Sequence, residues 1–213
     1  MISPVDQGSR RRGALLLADI SGYTGFLQGV SDAHSDLIVE ADEPPPAYAV
    51  VSSLLDTMVT LLAPRFELAK FEGDAIFAVA ADGPEAIRGA AVMTCVRACH
   101  AAFTTRLDEA KREWTCTCSS CARIGDLGLK FVLHHGEYVV QRIAGREELL
   151  GADVNVAHRL LKNHVRDLLG TRPYALLTDV ALKTLEVPAD DMEAMTERYD
   201  DLPPIPVHVL ALG

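Results

Sequence analysis

The stretch Ala14-Leu15-Leu16-Leu17-Ala18-Asp19-Ile20-Ser21-Gly22 is an unbroken apolar run closed by a carboxylate and then by small turn residues. Its shortness and lack of polar alternation read as a buried strand that delivers Asp19 at its C-terminal end. Working outward, Phe66 to Phe71 and Ala75 to Ala80 flank Glu72-Gly73-Asp74, the pattern of a β-hairpin with a tight turn. Between these two features the pattern is helical. One helix runs from Tyr23 to about Val30, and residues 40–46, ending in three prolines, break the chain. A second helix follows, with Val50, Leu54, Leu55, Met58 and Leu61 at three- and four-residue spacing, and it stops near Pro64.

Beyond the hairpin, Pro84 opens a long helix whose expected apolar face is Ile87, Ala90, Ala91, Cys95, Ala98, Ala102, Phe103 and Leu107. Leu127–His134 and Glu137–Ile143 read as an antiparallel pair turning at Gly136. Gly151 introduces a helix with Val154, Ala157, Leu161, Val165 and Leu168 inward. A strand at Tyr174–Thr178, a short helix after Asp179 and a terminal strand at Val207–Leu212 complete the order. This succession predicts an α+β domain, a ferredoxin-like antiparallel sheet with helices on one face. The expected organisation is a basic tail over residues 1–12 and a single domain over 13–213, with a Cys-rich insertion at about 113–125.

The 213 residues carry 49% hydrophobic side chains, enough for a full core, and a net charge of -10. That balance excludes a general nucleic-acid binder, whose affinity would come from clustered Lys and Arg. The run Arg10-Arg11-Arg12 is the basic exception and reads as a solvated tail. No window reaches the ~18 apolar residues that a membrane span needs, and no signal-peptide pattern opens the chain, so a cytoplasmic protein without membrane contact is expected. Five cysteines, three of them in Cys116-Thr-Cys118-Ser-Ser-Cys121, fit a reducing compartment better than a disulfide framework.

Asp19 and Asp74 are 55 residues apart, yet adjacent central strands would bring them together. Two carboxylates on rigid strands are hard oxygen ligands of the kind Mg²⁺ or Mn²⁺ takes, and the Ile20 backbone carbonyl could join them. Either Asp alone could equally be a solvated turn residue. Asn155 and Arg159, four apart, share the polar face of their helix.

Three segments resemble class III nucleotidyl cyclases, in family order. Ala18-Asp19-Ile20-Ser21-Gly22-Tyr23-Thr24-Gly25-Phe26 is similar to the signature that supplies the first metal Asp. Lys70-Phe71-Glu72-Gly73-Asp74-Ala75-Ile76-Phe77-Ala78 is similar to the second. The segment Glu148 to Leu160, with Gly151, Val154, Asn155, Ala157 and Arg159, resembles the third, so the likeness covers about residues 14–165. Leu129 to Glu137, after the cysteine cluster, resembles an uncharacterised bacterial branch of the same superfamily.

The resemblance implies a cyclase turning ATP into 3′,5′-cyclic AMP and pyrophosphate, in a head-to-tail homodimer with two equivalent sites. Asp19, Ile20 and Asp74 would hold two Mg²⁺ or Mn²⁺ ions. Lys70 and Glu148 fall at the base-reading positions, and a Glu there departs from the family, leaving GTP or a pyrimidine nucleotide as alternatives. Asn155 would orient the ribose and Arg159 would stabilise charge at the α-phosphate. A phosphate-binding Lys usual near the family's C-terminus has no counterpart in Arg198-Tyr199-Asp200-Asp201-Leu202-Pro203-Pro204-Ile205, where Arg198 is the nearest substitute. That departure keeps a second reading open, a cyclase-like nucleotide-binding sensor without turnover.

Cys116, Cys118 and Cys121 suit structural Zn²⁺ if a fourth ligand closes a tetrahedron, with Cys95, Cys99, His100, His134 and His135 as candidates. Free thiols and a redox switch remain open, as does a zinc-dependent interaction domain as the whole function. His134 and His135 alternate along a strand, so one of them should face inward and pack as a core histidine.

Overall fold

The computed structural model describes residues 8–35 and 46–213. These residues form an eight-stranded sheet in the order β2-β3-β1-β4-β6-β8-β7, with β5 paired to β4. The strands are β1 (Ser9–Ser21), β2 (Glu67–Glu72), β3 (Ala75–Ala81), β4 (Gly128–Ile143), β5 (Arg146–Leu150), β6 (Tyr174–Thr178), β7 (Glu193–Tyr199) and β8 (Leu202–Ala211). The helices are α1 (Tyr23–Ala33), α2 (Pro46–Leu62), α3 (Ala90–Glu113), α4 (Ser119–Ala122), α5 (Ala152–Arg159), α6 (Val165–Leu169) and α7 (Asp179–Thr184).

The expected α+β class holds. β1, β2, β3 and β4 with the helices between them make a β-α-β-β-α-β unit whose strands lie side by side as β4-β1-β3-β2, every neighbour antiparallel. The sheet then extends through β6, which runs parallel to β4.

β1 is central, so Ala14 to Ala18 are buried on both faces, as an apolar run without alternation demands. Leu16 and Ile20 point to the face covered by α1, α2, α3 and α7, while Leu15 and Leu17 point to the face covered by α5 and α6. The long helices thus occupy one face as expected, and the short α5–α6 segment covers the other. On α2, Leu54, Met58 and Leu62 are essentially inaccessible; full burial of such a side chain contributes roughly 1.5–3 kcal/mol.

Four expectations are corrected. The arginines at 10–12 are not a tail: they lie within β1, paired with Glu137–Val139 of β4, and Arg10 forms an ion pair with Glu137. Backbone pairing carries β1 past its apolar segment while the arginine side chains stay exposed. Gly136 is not a turn. It sits inside the continuous strand β4 opposite Gly13, and a Cβ there would meet the Asp153 side chain at 2.3 Å, so its missing side chain makes room for α5. The turn comes instead at Ala144 and Gly145, both at positive φ, joining β4 to β5.

The long helix begins at Ala90 and buries Val92, Val96, Cys99, Phe103, Leu107 and Ala110. Its face is rotated from the expected one because the Ala residues there are small enough to sit toward solvent: Ala90, Ala91 and Ala98 are exposed. In the same way Leu168 is exposed and Leu160 and Leu169 are buried, because residues 160–164 interrupt the α5–α6 helix and reset its phase. β7 lay outside the sequence expectation. The proposed break at residues 40–46 falls mostly outside the described residues.

Candidate active site

The register of β1 against β3 places Asp19 opposite Ala75, next to Asp74. Gly73, at φ 67°, makes the tight turn of the hairpin, and the Ile20 N–H donates to the Asp74 carbonyl at 3.4 Å. The two carboxylates therefore occupy one corner of the sheet. Burial, with the charge of Asp19 added, pushes the Asp74 carboxyl up to about 6. The Lys130 ammonium donates to Asp19 Oδ2 at 2.9 Å and to the Leu161 carbonyl at 3.2 Å. Two half-buried, mutually repelling carboxylates already drawing on a cation form a donor set that fits a hard divalent ion.

Lys70 and Glu148 also meet, at 3.5 Å, although they come from β2 and β5. They line a groove with Leu68, Ala69, Val79 and Tyr138. Lys70 contacts Glu72 at 2.9 Å, a hydrogen bond that holds its ammonium above the ordinary value. Glu72 in turn lies 3.1 Å from His158 Nδ1. His158 packs edge-on against Phe77, and burial lowers its pKa.

Asn155 and Arg159 are one turn apart on α5, as expected. Arg159 is not free. Its Nη2 donates to both carboxylate oxygens of Asp201 at 2.6 and 2.5 Å, and its guanidinium lies 5.6 Å from the centre of the Tyr199 ring. Arg198 is exposed on β7, beside the buried Glu197 that accepts from His164.

Cys116, Cys118 and Cys121 converge, but their fourth neighbour is His34. None of Cys95, Cys99, His100, His134 or His135 joins them: Cys99 lies in the α3 stripe, where burial raises its thiol to about 12. His134 and His135 are both buried, because β4 is covered on both faces. His134 meets Thr178 at 2.9 Å and His135 meets Asp82 at 2.9 Å.

A family model described as a protein of unknown function, DUF2652, matches residues 51–168. The chain belongs to that family. A relative from Mycobacterium tuberculosis, described as the uncharacterized protein Rv2561/Rv2562, is 35% identical over 138 residues, which is 64% of this chain and 60% of the relative's length. Among solved structures the chain is similar to the guanylyl cyclase Cya2, with a TM-score of 0.69 and 15% identity over 98% of this chain and 100% of the other. It is similar to the adenylyl cyclase CyaB from P. aeruginosa, with a TM-score of 0.65 and 13% identity over 96% of each chain. A class III adenylyl cyclase-like ATP-binding protein from Pseudomonas aeruginosa matches with a TM-score of 0.59 and 17% identity, over 84% of this chain and 35% of that one. At these identities the likeness is one of fold: this DUF2652 chain has a class III cyclase-like fold.

Sequence reading missed Lys130, Glu72, His158 and Asp201. Lys130 did leave a signal, being the charged residue between Leu129 and Phe131 in an otherwise apolar strand. The others are ordinary polar residues until the sheet brings them to the site.

Proposed function

We propose that the chain is a nucleotidyl cyclase forming a 3′,5′-cyclic nucleotide and pyrophosphate, with ATP as substrate. The observation that carries this reading is the Asp19–Asp74 pair brought together at the ends of β1 and the β2–β3 hairpin, with Lys70 and Glu148 brought together from β2 and β5. Asp19 and Asp74, with the Ile20 carbonyl, would hold Mg²⁺ or Mn²⁺, which supplies charge neutralisation at the phosphates and a more acidic ribose 3′-hydroxyl. The deprotonated 3′-oxygen bonds to the α-phosphorus, the bond from that phosphorus to its bridging oxygen breaks, and pyrophosphate leaves with the electron pair. Lys70 and Glu148 offer a donor and an acceptor to the base edge, matching N1 and the 6-amino group of adenine.

Asn155 and Arg159 would serve the site of a second copy in a head-to-tail homodimer, Asn155 on the ribose and Arg159 on the α-phosphate. All of these residues lie in one chain, so two copies complete two equivalent sites. Leu68, Phe71, Ile143 and Leu150, exposed on β2 and the β4–β5 hairpin, give that contact apolar surface. No helix among the described residues is long and apolar enough to cross a membrane, in keeping with a cytoplasmic enzyme.

Incubation of the pure protein with each of the four nucleoside triphosphates and Mn²⁺, followed by separation of products, tests the proposal. Cyclic AMP from ATP is expected, and bound nucleotide without any cyclic product rejects it. That second outcome would favour a nucleotide-binding sensor, a reading supported by the hold of Asp201 on Arg159 and by the lack of a Lys in residues 198–205. A monomer with full activity would remove the dimer from the proposal.

A further inference from the structure

The thiols of Cys116, Cys118 and Cys121 gather around one imidazole nitrogen. His34 Nε2 lies 3.2 Å from Cys121 Sγ, 3.5 Å from Cys118 Sγ and 3.6 Å from Cys116 Sγ. All four ligand atoms fall within 4.8 Å of one another. A tetrahedral ion with Zn–S of about 2.3 Å and Zn–N of about 2.05 Å places nitrogen and sulfur ~3.6 Å apart and sulfurs ~3.8 Å apart. The distances to Cys118 and Cys116 match that edge and the one to Cys121 is shorter. All three cysteines are free rather than joined in a disulfide, so three thiols and one imidazole are available to a single ion.

We propose that His34, Cys116, Cys118 and Cys121 bind one structural Zn²⁺ that clamps the end of α1 to the segment between α3 and β4. Three soft thiolates and an imidazole exclude Mg²⁺ and Ca²⁺, which take oxygen ligands. The surroundings are built for the ion. Cys118 caps α4, and the Cys121 backbone N–H donates to Cys118 Sγ at 3.3 Å, an outer hydrogen bond that orients this ligand. Cys121 is buried, and α1 passes close enough that a Cβ on Gly29 would lie 3.1 Å from Ser120 Oγ.

The clamp has a place in the architecture. α1 starts at Tyr23, directly after Asp19-Ile20-Ser21-Gly22, and His34 follows its last turn. The ion would fix the far end of the helix whose near end leaves the carboxylate corner. This site does not depend on the cyclase reading, and Asp19→Asn leaves it intact.

The full chain, expressed with zinc supplied, is tested by elemental analysis, thermal unfolding and Co²⁺ substitution. One zinc per chain is expected, with the intense visible bands of a tetrahedral thiolate site when Co²⁺ replaces it. Removal by a strong chelator should lower Tm by at least about 5 °C, because a ligand bound only to the native state stabilises it. His34→Ala should weaken zinc affinity by 10-fold or more, and His34→Cys should restore it, which keeps the test informative if a cysteine variant fails to fold. Absence of zinc, an iron chromophore in its place, or His34→Ala with unchanged affinity overturns the site. Loss of zinc with no change in Tm overturns its structural role.

Discussion

The two faces of the sheet are built from the same strands but do different work. On one face α1, α2 and α3 pack long apolar stripes, Leu54, Met58 and Leu62 against Val96, Phe103 and Leu107, and the core there carries few polar atoms. On the other, α5 and α6 together span little more than Ala152–Leu169, and the sheet presents the Asp19–Lys130 pair at its corner and a groove lined by Lys70 and Glu148. Alternation along β1 alone separates them, since Ala18 and Ile20 go to the first face and Asp19 to the second. The short cover leaves room for a ligand, and buried charge that would be costly in a core becomes tolerable when a bound cation can answer it.

The comparison breaks most readily at Asp19. Asp19→Asn is expected to reduce cyclic-nucleotide formation by about 1,000-fold, the scale of losing several kcal/mol of transition-state stabilisation. Its Tm should stay near that of the parent, and the paired product assay and thermal scan check this. Phe103→Ala, on the other face, should do the reverse: urea unfolding should show a loss of about 3–5 kcal/mol, while Mn²⁺ binding persists in the fraction that remains folded.

Asp74 sharpens the contrast through pH. Its carboxyl is pushed up to about 6, so the native chain holds this proton more tightly than the unfolded chain does. The cost of ionising it is absent below the unfolded value of about 3.9, grows as pH rises, and is complete above about 6. Asp74→Asn should therefore raise the metal-free Tm by about 2–4 °C at pH 8 and by much less at pH 4, and it should abolish stabilisation by Mn²⁺. In the parent, Mn²⁺ affinity should fall as pH drops below about 6. The smallest effect belongs to Asp201→Ala. Freeing Arg159 from an exposed ion pair should raise kcat/KM by no more than about fivefold if Arg159 acts at a partner's site, and a fall in rate would assign the Asp201 pair a positioning role.

Much of the fold was legible. The β1 run, the 66–80 hairpin and the helix between Pro46 and Pro64 appeared where apolar patterning put them. The failures share a cause. Gly136 looks like a turn residue in sequence, yet its value here is empty space for Asp153. The stripe of α3 was misjudged because alanine suits a helix on either side, so Ala90, Ala91 and Ala98 carry no directional signal. β8 begins earlier than expected, at Leu202, since Pro203, Pro204 and Pro206 argue against a strand except at positions where no N–H is needed, and β7, mostly polar and exposed, has no apolar run to announce it.

By itself the sequence determined most of the elements that form, β1, the β2–β3 hairpin and the long helices among them, because periodicity is a local property. It also determined which residues have the chemistry for a site: the carboxylates at 19 and 74, the Asn155–Arg159 pair and the thiols at 116–121. Only the tertiary structure decided who meets whom. His34 reaches the cysteines across more than 80 residues, Lys130 neutralises Asp19, Asp201 holds Arg159, and Glu148 crosses to Lys70. Such contacts are set by strand register and by how helices pack on a sheet, and neither can be read from the residues it joins taken one at a time.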